Sequence, residues 1–234
     1  MSAAALRAIF FDAGNTLIRM DLAAIVAALA REGVSASIDE VQRAEWRARV
    51  RLDATLRPGA STEHPDTGAR YLAFVLEELG VRSAATAAAL GAWRRTYNLP
   101  RGLWTAIEPE AEAALRLARQ AGLGTAVISN SNGTAAAILG ALGLAGQLDF
   151  VIDSHEVGVE KPDPRIFQIA LERAGLEPAQ AAYVGDLYSI DVLGARAAGL
   201  RAVLMNPGGC WPVLDCPTAV SALAAVRLLL DGGA

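Results

Sequence analysis

The chain has 234 residues, with 21 Lys and Arg against 25 Asp and Glu and a formal net charge of -4. That length can bury the core of one α/β domain with a smaller companion, and the acidic balance offers no overall field to nucleic-acid backbones or anionic lipid, so neither is an expected partner. No apolar stretch is long enough to span a bilayer, Asp12 interrupts the apolar run near the N-terminus, and Cys210 and Cys216 make neither a disulfide framework nor a metal-ligand pattern, so a cytoplasmic protein, monomeric or homodimeric, is expected.

The first element is the apolar run "LRAIFF" at 6–11, which stops at Asp12 and reads as a buried strand. From 17 to 100 no comparable pattern occurs. Helical periodicity covers 21–32, 38–54, 66–79 and 84–96 instead, and the Pro- and Gly-bearing stretch at 56–68 divides the set in two. Short apolar runs return as "GTAVISN" (124–130), "FVIDS" (150–154), "AAYVGD" (181–186) and "RAVLMN" (201–206). Among them lie helices at 108–121, 134–142, 163–174 and 189–198, each followed closely by a glycine, as helices with left-handed C-caps are. These runs are too continuously apolar for a sheet with one wet face. They predict an α/β fold with a Rossmann-like parallel sheet flanked by helices, formed by residues 1–16 and 101–234, with residues 17–100 as an inserted helical domain.

Within the insertion and its exit, Trp46, Trp93 and Trp104 read first as core and second as pocket lining. Arg94, Arg95 and Arg101 read as solvated, with one able to reach an anion across the domain boundary. His64 and His155 read as capping or surface residues, without the spacing of a histidine metal site.

The polar residues at strand ends carry the functional signal. In an open parallel sheet the C-terminal strand ends share one edge, where ligands bind. Asp12, Ser129, Asp153, Asp186 and the loop residue Lys161 are expected to converge there. With no general positive field, an anionic substrate needs local donors or a metal. A carboxylate at such an edge can attack phosphorus and form an aspartyl intermediate. Asp186 and Asp191, directed back towards Asp12, would repel it and each other unless a cation lies among them, and an all-oxygen donor set suits magnesium. Lys161, in "GVEKPDP", supplies a fixed positive charge. Ser129 and Asn130 are placed to donate to a phosphoryl oxygen, Gly14 and Asn15 offer backbone N–H groups, and Thr16 is expected to fix their turn by side-chain hydrogen bonding.

At this point four segments, "FFDAGNTL" (10–17), "VISNSN" (127–132), "VGVEKPDPRIF" (157–167) and "YVGDLYSIDVLGARAAG" (183–199), resemble the four successive motifs of the haloacid dehalogenase-like hydrolase superfamily. The helical insertion after the first motif is similar to its C1 cap class, which holds phosphoglycolate phosphatase-like enzymes and 2-haloacid dehalogenases. The resemblance implies Asp12 as nucleophile, Ser129 as phosphate-binding hydroxyl and Lys161 as charge-balancing amine. It implies a Mg2+ site made by Asp12, the Gly14 carbonyl and the acidic pair Asp186 and Asp191.

One position departs from the pattern. Phosphatases of this superfamily usually carry a second aspartate two residues after the nucleophile, as general acid and then base, and here that residue is Gly14. A dehalogenase needs no such acid, because halide leaves unprotonated, but it also needs no metal and typically lacks the "GDLYSID" acidic motif kept here. The favoured reading is a magnesium-dependent hydrolase of small organic phosphates working best on good leaving groups, unless Tyr97 or Glu108 supplies the proton. A metal-independent 2-haloacid dehalogenase and a catalytically weak binding or scaffold protein are the alternatives. A phosphonatase-like role is disfavoured, since residues 17–100 contain no lysine for a Schiff base.

Overall fold

The computed structural model describes residues 5–57 and 61–232; part of the loop between the second and third helices, at 58–60, lies outside them. In chain order the elements are β1 (Ala8–Phe11), β2 (Ile18–Met20), α1 (Leu22–Arg31), α2 (Ile38–Asp53), α3 (Pro65–Glu78), α4 (Ala84–Thr96), β3 (Trp104–Ile107), α5 (Ala111–Gln120), β4 (Gly124–Ser129), α6 (Ala135–Ala141), β5 (Phe150–Asp153), α7 (Ser154–Val157), α8 (Pro164–Ala174), β6 (Ala181–Gly185), α9 (Leu193–Ala197), β7 (Arg201–Met205), β8 (Thr218–Ala219) and α10 (Ala222–Leu230). Six strands form one sheet in the order β5-β4-β1-β6-β7-β8, and every pairing in it is parallel.

Alternation along β1 decides which helices cover which face. Ile9 and Phe11 point to one side and join the core formed with Leu115 of α5, Leu139 of α6 and Val226 of α10. Ala8 and Phe10 point to the other and pack with Phe167 of α8, Ala195 of α9 and Tyr183. Both faces are dry, which is why the strands read as continuous apolar runs. β1 lies between β4 and β6, so Asp12 leaves the sheet at its middle.

Two features are absent from the sequence reading. β2 and β3 form a separate antiparallel pair, with Ile18 opposite Ile107, through which the chain enters and leaves the four-helix segment. β8 and α10 close the far side of the molecule. The four inserted helices match their expected spans within a residue or two, and their own core contains Ile25, Leu29, Val41, Leu72, Leu76 and Leu90. α2 starts on a capping box in which Ser37 and Glu40 satisfy each other's backbone N–H groups.

The helix expected at 189–198 is two pieces: a π-turn over Tyr188–Val192, then α9. Its cause is Asp191, whose carboxylate folds back to accept from the N–H groups of Asp186 and Leu187 at 3.0 and 2.9 Å. Gly185 permits this, because a Cβ there would lie 2.4 to 2.6 Å from the Asp191 side chain. Wide turns of this kind often mark functional sites. Among the described residues no helix is long and apolar enough to cross a membrane.

Candidate active site

The strand ends and the inserted helices enclose a cavity of about 340 Å3, lined by Asp12, Gly14, Asn15, Ser129, Asn130, Lys161, Asp186 and Asp191 from the sheet side. Each of those sequence-predicted residues is therefore at one place. Asp153 is the exception among the strand-end polar residues. Its carboxylate accepts from the backbone N–H groups of Gly133, Ala135 and His155, pinning two loops together, and it does not line the cavity.

Lys161 organises the centre. Its buried Nζ donates to Asp12 Oδ1 at 2.5 Å, to Asp191 Oδ1 at 2.8 Å and to the Tyr183 hydroxyl at 2.8 Å. Burial alone would depress its pKa, but the Asp12 and Asp191 carboxylates outweigh that and hold the ammonium above its usual range. Burial pushes the Asp12 carboxyl up to about 6, against the pull of Lys161 and with repulsion from Asp191 adding. Asp186 is also raised well above the usual carboxylate range, again chiefly by burial, with Arg49 opposing and Asp191 and Asp12 reinforcing. Carboxylate oxygens of Asp12, Asp186 and Asp191 all lie within 4.8 Å of one another.

The inserted helices contribute groups that the sequence reading passed over. Arg49, fully buried in α2, makes a two-pronged contact with Glu45 at 2.8 and 2.6 Å, and its Nη1 lies 3.5 Å from Asp186 Oδ2 with no hydrogen-bond partner among the described residues. Tyr71 of α3 donates a short hydrogen bond to Glu45, and Asn15 donates to Tyr71 at 3.3 Å and to Asp186 at 2.9 Å. The circuit Asp186, Asn15, Tyr71, Glu45, Arg49 closes on itself and ties α2 and α3 to the loop that follows Asp12. A signal for it was present: Val41, Ala44, Glu45, Ala48, Arg49 and Leu52 are all buried on one helical face, so two opposite charges four residues apart sit on the apolar stripe. Asp53 extends the attachment by accepting from Ser189 N and Oγ at 2.8 and 2.7 Å.

Several expected roles change once partners are visible. Asn130 was expected to donate to substrate, but both hydrogens of its amide are engaged, by Thr62 at 2.9 Å and the Lys161 carbonyl at 3.0 Å, while its oxygen accepts from Lys161 N at 2.8 Å. Its side chain positions the lysine loop and has no donor left. Thr16, expected to fix the nucleophile turn, is buried with its hydroxyl unpartnered among the described residues; the Ala13 carbonyl holds that turn by accepting from the backbone of Leu17 and Ile18. Asn15 has φ 53°, and its side chain holds Asp186. Tyr97 donates to Asp21 and Glu108 sits just past β3; neither lines the cavity, so neither is placed to replace a missing acid. Trp104 does line it, with its ring 3.4 Å from where a Gly14 Cβ would stand, whereas Trp93 packs at a tilt against Tyr97 and Trp46 covers Gly208. Ser129 is buried at the cavity wall. His64 caps α3, as read.

The donor set suits a hard divalent cation. With every carboxylate ionised, the buried Asp12, Asp186, Asp191 and Glu45 place four negative charges beside two buried cations, Lys161 and Arg49, two positive charges short.

Sheet order, site and motif spacing together define a hydrolase of one family. A model of that family, haloacid dehalogenase-like hydrolase, matches residues 6–199, and the chain belongs to it. Over 105 residues it is 49% identical to the human haloacid dehalogenase-like hydrolase domain-containing protein 3, a match covering 44% of this chain and 42% of that protein. Over 138 residues it is 43% identical to a phosphoserine phosphatase of Thermus thermophilus, covering 57% and 52%. These matches span about half the length of each curated relative. Among solved structures, a 2-haloacid dehalogenase from Pseudomonas syringae pv. Tomato DC3000 aligns over 97% of this chain and 99% of its own, with a TM-score of 0.58 and 27% identity.

Proposed function

We propose that the chain hydrolyses small organic phosphates through an aspartyl-phosphate on Asp12, with Mg2+ as cofactor. The observation that carries this reading is the buried carboxylate cluster beside Asp12 with its deficit of two positive charges. Asp12 and Asp186 would hold the ion, together with the Gly14 carbonyl that the family resemblance assigns. Asp191 fits a supporting role better, because its two oxygens already accept from Lys161, Tyr183, Asp186 N and Leu187 N. When bound, the ion would neutralise the carboxylates and the developing phosphoryl charge.

Lys161 engages Asp12 Oδ1, which leaves Oδ2 to attack phosphorus. As that bond forms, the ester P–O bond breaks and the alkoxide or phenolate departs. The Ser129 hydroxyl supplies a donor to the transferred group, Lys161, whose three hydrogens are engaged by Asp12, Asp191 and Tyr183, supplies its positive charge, and water then attacks the aspartyl-phosphate, releasing phosphate and restoring Asp12. Residue 14 supplies no proton to the leaving oxygen, so the rate follows leaving-group basicity. The relative named as a phosphoserine phosphatase supports the substrate class.

One observation favours a second reading, metal-independent dehalogenation: Gly14 has no acid and an indole occupies the space beside it. The carboxylate cluster weighs against it, since a dehalogenase has no use for Asp186 so close to Asp12. Turnover of p-nitrophenyl phosphate that requires Mg2+ and stops in chelator is expected. Halide release from 2-chloropropionate in chelator, without phosphatase activity, would transfer the assignment to dehalogenation.

A further inference from the structure

Four cations line the cavity: Lys161, Arg49, Arg94 and Arg101. Lys161 and Arg49 are neutralised by the carboxylates already described, and Arg101 is exposed at the surface. Arg94, on α4, differs from all of them. It is half-buried, lies on the cavity wall, and has neither a carboxylate within ion-pair distance nor a hydrogen bond among the described residues.

Its position is built into the neighbouring helix. The guanidinium lies over Gly68 of α3, where a Cβ would stand 2.3 Å from Nη2, 2.7 Å from Nη1 and 2.8 Å from Cζ. Any other residue at 68 would displace it. Glu63, whose charge acts on Arg94, also lines the cavity but lies beyond ion-pair distance. The Glu63 side chain is itself exposed, so water screens its charge from Arg94.

A planar guanidinium whose donors have no partner among the described residues, partly withdrawn from water, is suited to two-pronged binding of a carboxylate or phosphate. The cavity of about 340 Å3 is small enough that such a group and a phosphoryl group at Asp12 would belong to one small ligand. We propose that Arg94 binds a second anionic group on the organic part of the substrate, so that the preferred substrates are small phosphate esters bearing a carboxylate or a second phosphate. This rests on the phosphatase reading of the Asp12 site.

The test uses non-hydrolysable phosphonates, which separates binding from leaving-group chemistry. Inhibition of p-nitrophenyl phosphate turnover is measured with 3-phosphonopropionate, propane-1,3-bisphosphonate and n-propylphosphonate, and direct binding of the same three by calorimetry in Mg2+. In wild type one or both charged-tail ligands should bind about tenfold to a hundredfold more tightly than propylphosphonate, the range of a charge-assisted hydrogen-bonded pair. The tighter of the two identifies carboxylate or phosphate as the natural group. Arg94→Ala should abolish the difference, Arg94→Lys should restore part of it, and Arg95→Ala, at an exposed neighbour outside the cavity, should keep it whole. Equal affinities in wild type overturn the proposal without any variant, and so does a preference that survives in folded Arg94→Ala. Charged-tail preference in calorimetry without any turnover would instead overturn the phosphatase reading while keeping the anion site.

Discussion

Replacing Gly14 by aspartate puts a carboxyl at the position where related phosphatases carry their acid, and the structure sets what this should cost and gain. Gly14 is not among the glycines with positive φ, so the backbone accepts a side chain. A Cβ would meet Trp104 at 3.4, 3.5 and 3.7 Å, which is ordinary contact, but the carboxyl beyond it must pass the indole. Crowding of that kind costs about 1–3 kcal/mol of stability. A positioned acid lowers the barrier by about 3–5 kcal/mol, roughly 100-fold to 10,000-fold in rate. The two effects fall on different quantities, so the variant should be less stable and yet faster where the leaving group needs a proton. The assay is kcat/KM for glycerol 3-phosphate and p-nitrophenyl phosphate in wild type, Gly14→Asp, Gly14→Asn and Gly14→Asp with Trp104→Ala, beside thermal unfolding. The alkyl-to-aryl ratio should rise by about 100-fold or more in Gly14→Asp, or in the double variant if the indole blocks the acid, and far less in Gly14→Asn, which has the shape without the acidic proton. Fast alkyl turnover by wild type, or two folded aspartate variants with the wild-type ratio, would refute the reasoning.

Arg49→Met should destabilise the fold by about 3–5 kcal/mol in urea titrations, because Glu45 and Asp186 lose their buried countercharge, and adding Glu45→Leu should recover a large part of that loss. Calorimetry should show Asp186→Asn binding Mg2+ more weakly than wild type, while Asp12→Asn abolishes turnover and keeps some metal binding; turnover that persists in excess chelator would contradict the metal assignment. Asn130→Ala should lower kcat by about tenfold to a hundredfold with a smaller change in thermal stability, because it releases the loop that aims Lys161 at Asp12. Asp12 has its folded-state pKa raised from 3.8 to about 6, so the folded state holds more protons than the unfolded one across that window and stability falls as pH rises through it. The slope of melting temperature against pH between about 4 and 6 should therefore flatten in Asp12→Asn.

Asp12, Ser129, Lys161, Asp186 and Asp191 were legible as a site because parallel topology brings strand C-terminal ends to one edge, whatever the helices between them do. The inserted helices were legible for a local reason: their caps and apolar periodicity depend on residues within a few positions of each other. Contacts made across the fold were not. Glu45, Arg49 and Tyr71 could be placed on helices, but that they reach Asp186 depends on how α2 and α3 settle over the loop that follows Asp12. Asn130, Asp153 and Thr16 show the same limit, since residue type predicts a capacity to hydrogen-bond and only packing selects the partner.

The sequence by itself determined the parallel α/β core, the helical insertion and the carboxylate and lysine set at the sheet edge, because periodicity and strand-end topology are properties of the chain's order. Tertiary structure alone decided the guanidinium beside Asp186, the indole filling the space beside Gly14 and the placement of Arg94 over Gly68. Each of these is a distance between residues far apart in sequence, set by the packing of whole elements and encoded in no local stretch.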